Sequence, residues 1–147
     1  MLEELDRQIV GLLAADGRMS YTDLGRTTGL SVSAVHQRVR RLEQRGVIQS
    51  YAARIAASEV GLPLTAFVSI KPIDPPAGHD TPERLAHLHA IEECHSVAGE
   101  ENYILKVRVG DPQELESLLQ QIRSLAGVNT RTTVVLSTLF EGRPLKV

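Results

Sequence analysis

The sequence predicts an α+β protein of two domains, because its two parts follow different hydrophobic periodicities. In residues 1–55, apolar side chains recur at intervals of three and four, which is typical of amphipathic helices. In residues 64–147, stretches that alternate between apolar and polar residues are separated by helical stretches, as in a sheet with helices between its strands. Residues 56–63 contain a glycine and a proline between the two patterns and are interpreted as a linker.

Three helices are expected in the first domain. The apolar face of the first helix, which should end near 16–17, consists of Leu2, Leu5, Ile9, Leu12 and Leu13. Ser20 is placed to cap the second helix, and Ser31 or Ser33 is placed to cap the third. Gly29 can supply the positive φ that a tight turn between these two helices needs, and Gly25 leaves room for their backbones to cross closely. These positions predict a helix-turn-helix domain.

The third helix has two faces of different chemistry. Its apolar stripe consists of Val32, Val35, Val39 and Leu42. The face turned away from that stripe carries Ala34, Gln37, Arg38, Arg41 and Arg45. An apolar face for the domain core and a small, basic face for a duplex are typical of a DNA recognition helix, so DNA binding is favoured over an ordinary charged hairpin of helices. Arg40 and Glu43 are interpreted as a surface ion pair.

Two further features complete the first domain. The third helix should stop at Gly46, and Val47–Ala52 has an extended pattern that predicts a small wing or strand, which would make the domain winged-helix-like. Between Arg26 and Arg54 six arginines accompany a single acid, Glu43, although the whole chain has a net charge of −2. A basic first domain on an acidic chain is what local neutralisation of phosphates requires.

The second domain is expected to follow the order βαββαβ of a ferredoxin-like fold, with one antiparallel sheet and two helices on one of its faces. The expected elements are a strand at 64–70, a break at 72–78, a helix at about 81–93, strands at 94–98 and 103–109, a helix opened by Asp111 and Pro112 and ended by Gly127, and a strand at about 129–140. Apolar residues on both sides of strands 64–70 and 103–109 predict that the uncovered face of the sheet pairs with a second copy, giving a homodimer.

Several other classes of protein are disfavoured. No apolar run approaches the roughly 20 residues that span a bilayer, and the start of the chain does not read as a signal peptide. The single cysteine, Cys94, forms no internal disulfide, fits a reducing cytoplasm, and is expected to be buried in a strand. His87 and His89 are two apart on the expected helix, so they should face different directions. No metal or cofactor site and no activated nucleophile is expected.

A helix-turn-helix domain joined to a ferredoxin-like domain of this length resembles the Lrp/AsnC family of leucine-responsive and asparagine-responsive regulators. Matching fragments in the first domain are Leu5–Asp6, Asp16–Arg18, Gly29–Ser31, Arg38–Glu43, Gly46–Ile48 and Tyr51. Those in the second domain are Val97–Gly99, Tyr103–Val107, Gly127–Val128 and Thr130–Thr132. Each fragment is weak alone, but their order along nearly the whole chain is distinctive. The resemblance implies a bacterial or archaeal transcription factor that senses amino acids and whose dimers assemble into octamers or related rings.

The resemblance places the recognition helix at Ser31–Arg45. The residues expected to contact double-stranded DNA are Ser31, Ser33, Ala34, Gln37, Arg38 and Arg41. The two serines, with the N–H groups of the helix N-terminus, would meet phosphates. Gln37 and the two arginines would approach base edges or the nearby backbone, since arginine can read guanine and glutamine can read adenine.

The resemblance also implies an effector site where subunits meet. The residues expected to bind an amino acid there are Gly99, Glu100, Glu101, Asn102, Tyr103, Thr132, Thr133, Val134 and Val135. A carboxylate can hold an α-ammonium group, and glycine-turn N–H groups and threonine hydroxyls can bind an α-carboxylate. Asn102 stands where the family usually has an acid, and two glutamates precede it, which leaves open which acid contacts the ligand. The alternative is a polar hairpin turn.

Three functions are therefore compared. The favoured one is a sequence-specific, effector-responsive transcriptional regulator. The second is a DNA-bridging architectural protein with weak sequence choice, which equal affinity for specific and random DNA would indicate. The third is an enzyme or an enzyme-regulating subunit, because a ferredoxin-like domain hosts many activities. The basic helix disfavours this third function.

Overall fold

The computed structural model describes residues 1–74 and 80–147 and divides the chain into two compact units. The first unit comprises Met1–Arg54 and Leu139–Val147, and the second comprises Ile55–Thr138. The C-terminal tail, which the sequence-based division places in the second domain, therefore lies with the helical unit. Within the described ranges, no helix has both the length and the apolar character needed to cross a bilayer.

The first unit contains three helices, α1 (Glu4–Ala15), α2 (Tyr21–Thr28) and α3 (Val32–Gln44). The expected caps are confirmed, since Ser20 Oγ accepts from the Asp23 amide at 3.0 Å and Ser31 Oγ accepts from the Ala34 amide at 3.2 Å. The core of the unit consists of Ile9, Leu13, Leu24, Val35, Val39 and Leu42. All three helices contribute to this core, so its packing fixes α3 against α1 and α2.

Both glycines of the turn have the roles that the sequence predicts. Gly29 follows α2 with a φ of +75°, a conformation that costs glycine little. A Cβ added to Gly25 would lie only 2.6 Å from the carbonyl oxygen of Leu30, so the chain after the turn passes directly against α2. The helix-turn-helix is confirmed.

The wing expected at Val47–Ala52 is not formed. None of these residues belongs to a strand, and the chain bends back because the Val47 and Ile48 amides both donate to the carbonyl oxygen of Leu42, at 2.9 and 3.2 Å. These two amides are therefore bonded to the end of α3 and are not available to pair with a neighbouring strand. Farther along, the guanidinium of Arg54 donates to the carbonyl oxygens of Glu141 and Gly142 at 2.8 Å, which ties the C-terminal tail to this unit.

The second unit has the expected order βαββαβ. Its elements are β1 (Leu64–Pro72), α4 (Thr81–Leu85), β2 (Ile91–Ser96), β3 (Tyr103–Val109), α5 (Pro112–Ala126) and β4 (Val128–Val134). The strands form one antiparallel sheet in the order β2-β3-β1-β4. Buried residues of both helices share one core with the sheet, which consists of Ala66, Val68, Ile70, Leu85, Leu88, Leu105, Val107, Val109, Leu115, Leu118, Ile122, Ala126 and Val128.

Two element bounds differ from the sequence-based expectation. The helix expected over 81–93 ends after Leu85, and turns closed by Leu88 N to Leu85 O and Ile91 N to Leu88 O lead into β2, which starts at Ile91 and not at Cys94. The last strand ends at Val134 and not near 140; the Val135 amide still donates to the carbonyl oxygen of Thr65 at 2.9 Å, and the chain beyond it is not part of the strand. Residues 75–78 of the expected break lie outside the described residues.

The face of the sheet opposite the helices, called the open face below, is not apolar as expected. It carries Phe67, Ser69, Lys71, Ile104, Lys106, Arg108, Arg131 and Thr133. Arg108 Nε donates to Glu92, and Lys106 Nζ lies 3.6 Å from the same carboxylate. Lys106 and Arg108 of β3 are thus paired with Glu92 of β2, on a face where apolar side chains were expected.

The expectation of a buried Cys94 is wrong, and His87 and His89 do not lie on the helix expected to carry them. Cys94 lies in β2 as expected but is exposed, because β2 is an edge strand with a neighbour on one side only. Partial desolvation and the carboxylate of Glu83 raise the pKa of its thiol, which disfavours the reactive thiolate. His87 and His89 follow α4 in turns, and both line one cavity of about 470 Å³ beside α5.

Candidate nucleic-acid interface and effector cavity

The N-terminus of α3 is open to solvent. Ser31 and Ser33 are both exposed, and their hydroxyl oxygens lie 3.3 Å apart. Ser31 Oγ accepts from the Ala34 amide, the hydroxyl of either serine can donate to the other, and the first N–H groups of a helix have no partner within it. Such a cluster of donors at the positive end of a helix dipole attracts phosphate oxygens.

The outer face of α3 is polar along its length. Gln37, Arg40, Arg41 and Arg45 are exposed, Ala34 is half-buried, and the opposite face is buried in the core. The ion pair expected between Arg40 and Glu43 is absent from the described residues. Glu43 Oε1 instead accepts from the hydroxyl of Tyr51 at 2.9 Å. Arg40 therefore adds a positive charge to the exposed face.

Arg38 does not point away from the unit as the helical spacing predicts. Its Nη1 donates to Asp6 Oδ1 at 2.7 Å and to Glu3 Oε2 at 2.9 Å, both at the start of α1. Arg41 Nη2 donates to Asp6 Oδ2 at 3.0 Å. The Asp6 side chain is 2% exposed, whereas those of Arg38 and Arg41 are 24% and 48% exposed. One buried carboxylate thus holds two of the three arginines of α3, Arg38 and Arg41.

The ionised form of Asp6 is maintained by its partners. Burial alone raises the pKa of this carboxyl, but the hydrogen bonds and positive charges of Arg38 and Arg41 outweigh that effect and hold its pKa below the ordinary value. The same contacts, together with Glu3, raise the pKa of Arg38. Asp6 and Arg38 are therefore both charged at neutral pH, and the contact between them is ionic.

A second candidate site lies at one end of the sheet in the second unit. It is a cavity of about 390 Å³ lined by Ser69, Lys71, Glu100, Glu101, Asn129, Thr130 and Arg131. The turn between β2 and β3 supplies the two glutamates, while neighbouring positions on β1 and β4 supply the rest. Both signs of charge surround the cavity, which is the chemistry that a zwitterionic ligand needs.

The two glutamates of this cavity differ in their partners. Glu101 Oε1 lies 2.6 Å from Arg131 Nη2, and Glu101 is the less exposed of the pair. Glu100 is exposed and has no ion-pair partner among the described residues, and the same holds for Lys71. One carboxylate and one ammonium group therefore face the cavity without a partner from this part of the chain.

None of the other residues expected to bind an effector lines this cavity. The Asn102 amide donates to the carbonyl oxygen of Ile70, Tyr103 packs against the core, and Thr132 is half-buried on the core side of β4. Thr133 lies on the open face, opposite Phe67. Beyond it, Val134 is exposed and Val135 is half-buried.

The fold of this chain does not require glycine at position 99. Its φ is not positive, and an added Cβ would meet nothing within 4 Å. The room beside this turn is therefore available to something outside the protomer's own fold.

Hydrophobic periodicity does not point to Lys71, Asn129 and Arg131 as site residues, because they belong to the polar phase of their strands. Pairing of Lys71 with Asn129 and of Ser69 with Arg131 brings them to the same place. The signal that could have found them is a run of polar residues on one phase at the ends of two strands expected to be neighbours.

Comparison with known proteins finds two family matches along the chain. Residues 2–43 match the AsnC-type helix-turn-helix domain, and residues 65–145 match the Lrp/AsnC ligand-binding domain. The chain is 53% identical over 142 residues to the HTH-type transcriptional regulator LrpA of Mycobacterium tuberculosis, covering 97% of this chain and 95% of that protein. It is 36% identical over 150 residues to the leucine-responsive regulatory protein of Escherichia coli, covering 99% and 92%.

Solved structures agree with this relationship. A feast or famine regulatory protein from M. tuberculosis complexed with L-methionine has 52% identity and a TM-score of 0.96, with 99% of each chain covered. A transcriptional regulator from Neisseria meningitidis complexed with L-methionine has 25% identity and a TM-score of 0.90, covering 99% of this chain and 97% of that one. The matches span both units and name transcriptional regulators, not enzymes. This chain therefore belongs to the Lrp/AsnC family of transcriptional regulators.

Proposed function

We propose that this regulator binds double-stranded DNA with sequence preference and that an amino acid bound in its second unit changes that binding. The observation that carries the DNA part is the exposed polar face of α3, with Gln37 and Arg41 behind a serine-capped N-terminus. Glutamine and arginine can each form bidentate hydrogen bonds to a base edge. The serines and N-terminal amides are suited to phosphates, which set the register on the duplex.

The cavity beside the turn is the proposed effector site. The ammonium group of Lys71 is suited to an α-carboxylate, and the carboxylate of Glu100 is suited to an α-ammonium. Arg131 holds Glu101 and so favours Glu100 for this role. L-Methionine is the first ligand to test, because two similar proteins were solved with it.

The assembly is proposed to be a homodimer built on the open face of the sheet, with dimers associating further, up to an octamer. Phe67 is 42% exposed there and supplies apolar contact area. The charges of Lys106 and Arg108 are already paired with Glu92 inside one protomer, so covering this face would not strand them without partners. A ligand that lies where subunits meet can shift such an assembly only by binding one state better than another.

Two measurements test the proposed function. Thermal unfolding in the presence of each common amino acid should show a higher midpoint with the effector, because a ligand of the native state stabilises it by mass action. Binding to the duplex that the chain selects from a random pool should be much tighter than binding to an unselected duplex of equal length. Equal affinity for the two duplexes across a salt series would instead support the DNA-bridging function.

A further inference from the structure

Asp6 is unusual among the described residues, because it is the only acid that is buried. It lies in the first turn of α1, and each of its oxygens accepts from a different arginine of α3. A buried charge is costly even when it is paired, and an apolar residue often serves stability equally well or better. The placement of this carboxylate is therefore better explained by what it does to the two arginines.

The contacts restrict both guanidinium groups. Arg38 is held through Nη1 by Asp6 and also by Glu3, and Arg41 is held through Nη2 by Asp6. A guanidinium has five N–H donors in a rigid plane, so holding one nitrogen restricts the directions of the others. Arg41 is nearly half exposed, and its remaining donors are directed by a contact that lies behind it.

The same contacts reduce the charge that α3 shows to a duplex. One carboxylate shared by two arginines cancels part of their attraction for any phosphate, and the carboxylate of Glu3 adds to this effect. Attraction to phosphates does not depend on the DNA sequence, whereas hydrogen bonds from oriented donors to base edges do. A helix with fixed and partly neutralised arginines should discriminate between sequences better than one with loose arginines.

We propose that Asp6 is a positioning residue for DNA recognition, which orients Arg38 and Arg41 and lowers their sequence-independent affinity for phosphate. The inference rests on the proposed DNA-binding function of α3. It assigns a role to a residue of α1, a helix outside the turn and recognition helix. Glu3 supports the same role from the exposed side, through Arg38 alone.

The variant Asp6→Asn keeps the size of the side chain and removes its charge. Without that charge beside them, the arginines should bind random DNA more tightly. The salt dependence of that binding should become steeper, by about the slope of one additional phosphate contact. Binding to the selected duplex should not improve in proportion, so the ratio of the two affinities should fall by about tenfold, the effect of one misplaced base contact. A residue with a merely structural role would weaken both affinities together and leave the salt slope unchanged.

Fluorescence anisotropy on the full chain would measure both affinities at several salt concentrations. Asp80→Asn is the matched control, since Asp80 accepts from Arg84 Nε at 2.8 Å in the second unit and should alter neither quantity. Glu3→Gln provides a second variant that leaves the buried carboxylate in place. It should lower the affinity ratio and steepen the salt dependence by smaller amounts than Asp6→Asn does. If Asp6→Asn does not fold, the result for Glu3→Gln tests the proposal by itself.

Each outcome is informative. A lower ratio with a steeper slope in both variants supports the positioning role. Parallel loss of both affinities, or an unchanged ratio and slope in folded variants, overturns that role while leaving the proposed function intact. Failure of the wild-type chain itself to prefer the selected duplex overturns the proposed function, and the positioning role with it.

Discussion

At the residue scale, Arg38 and Arg41 share one carboxylate but not the same surroundings. Arg38 is the more buried and contacts Asp6 and Glu3, whereas Arg41 contacts Asp6 alone. We predict that Arg38→Ala and Arg41→Ala both weaken DNA binding, and that Arg38→Ala also lowers stability more, by about 1–3 kcal/mol, because a buried acceptor loses its shorter hydrogen bond. Gel-shift titration and denaturant unfolding would measure the two effects. A larger stability loss in Arg41→Ala would contradict this ordering.

The pH dependence of stability should report the same cluster. The pKa of Asp6 is lowered in the folded state from its ordinary value of 3.8, so its contribution is present above that value and is lost as the pH falls through the folded pKa. Asp6→Asn should therefore flatten the decline of the free energy of unfolding in acid. Denaturant titrations at a series of pH values from neutral to acidic would show this. An identical acid decline in the variant would mean that the carboxylate has no such linkage.

Contacts between residues that are close in the sequence could be predicted from it, whereas contacts between distant residues could not. Ser20 and Ser31 could be recognised as caps because each bonds an amide three residues away. The direction of Arg38 could not, because its partner Asp6 is 32 residues away. In the same way Glu100 and Glu101 were found in a polar turn, whereas Lys71 and Arg131 join them only through the pairing of β1 with β4.

At the element scale, the crossing of α2 with the chain after its turn depends on one small residue. We predict that Gly25→Ala destabilises the protein by about 1–3 kcal/mol, since its Cβ would lie 2.6 Å from a backbone oxygen that cannot easily move. Gly11→Ala in α1 is the matched control, because a Cβ there meets nothing within 4 Å and alanine favours the helix by about 0.8–1.0 kcal/mol. Thermal unfolding of both variants tests this pair. Equal shifts would show that the close approach is unimportant.

Elements whose ends are marked by capping residues, prolines or glycines were predicted well. Elements whose length depends on pairing with another strand were not. The helix α5 begins with Asp111 capping and Pro112 in its first turn and ends at Gly127 with a positive φ, all of which can be read from the chain. By contrast, the short α4 depends on Ile91 joining β3, and the length of β4 depends on how far it pairs with β1. Hydrophobic periodicity within one segment does not show which strand that segment will pair with.

At the scale of the whole molecule, association through the open face should be sensitive to charge at its exposed aromatic residue. We predict that the full chain sediments as a dimer or larger species and that Phe67→Asp shifts it toward the monomer, because an unpaired carboxylate would be buried in the contact. Val60→Asp is the control, since Val60 is also an exposed apolar residue but lies in a short 3₁₀ helix outside the sheet. A monomeric wild-type chain, or equal effects of the two variants, would exclude this face.

The dependence of DNA affinity on an amino acid tests the proposed function most directly. Anisotropy titrations of the selected duplex would be made without ligand, with saturating L-methionine, and with any other amino acid that raises the unfolding temperature. The predicted result is a change in affinity of about five- to 150-fold in the wild-type chain. The response should weaken in Lys71→Met and Glu100→Gln, whose side chains line the proposed effector cavity and whose ligand-free DNA binding stays near wild type. An affinity that no amino acid changes would contradict effector control, and a full response in both variants would place the effector elsewhere.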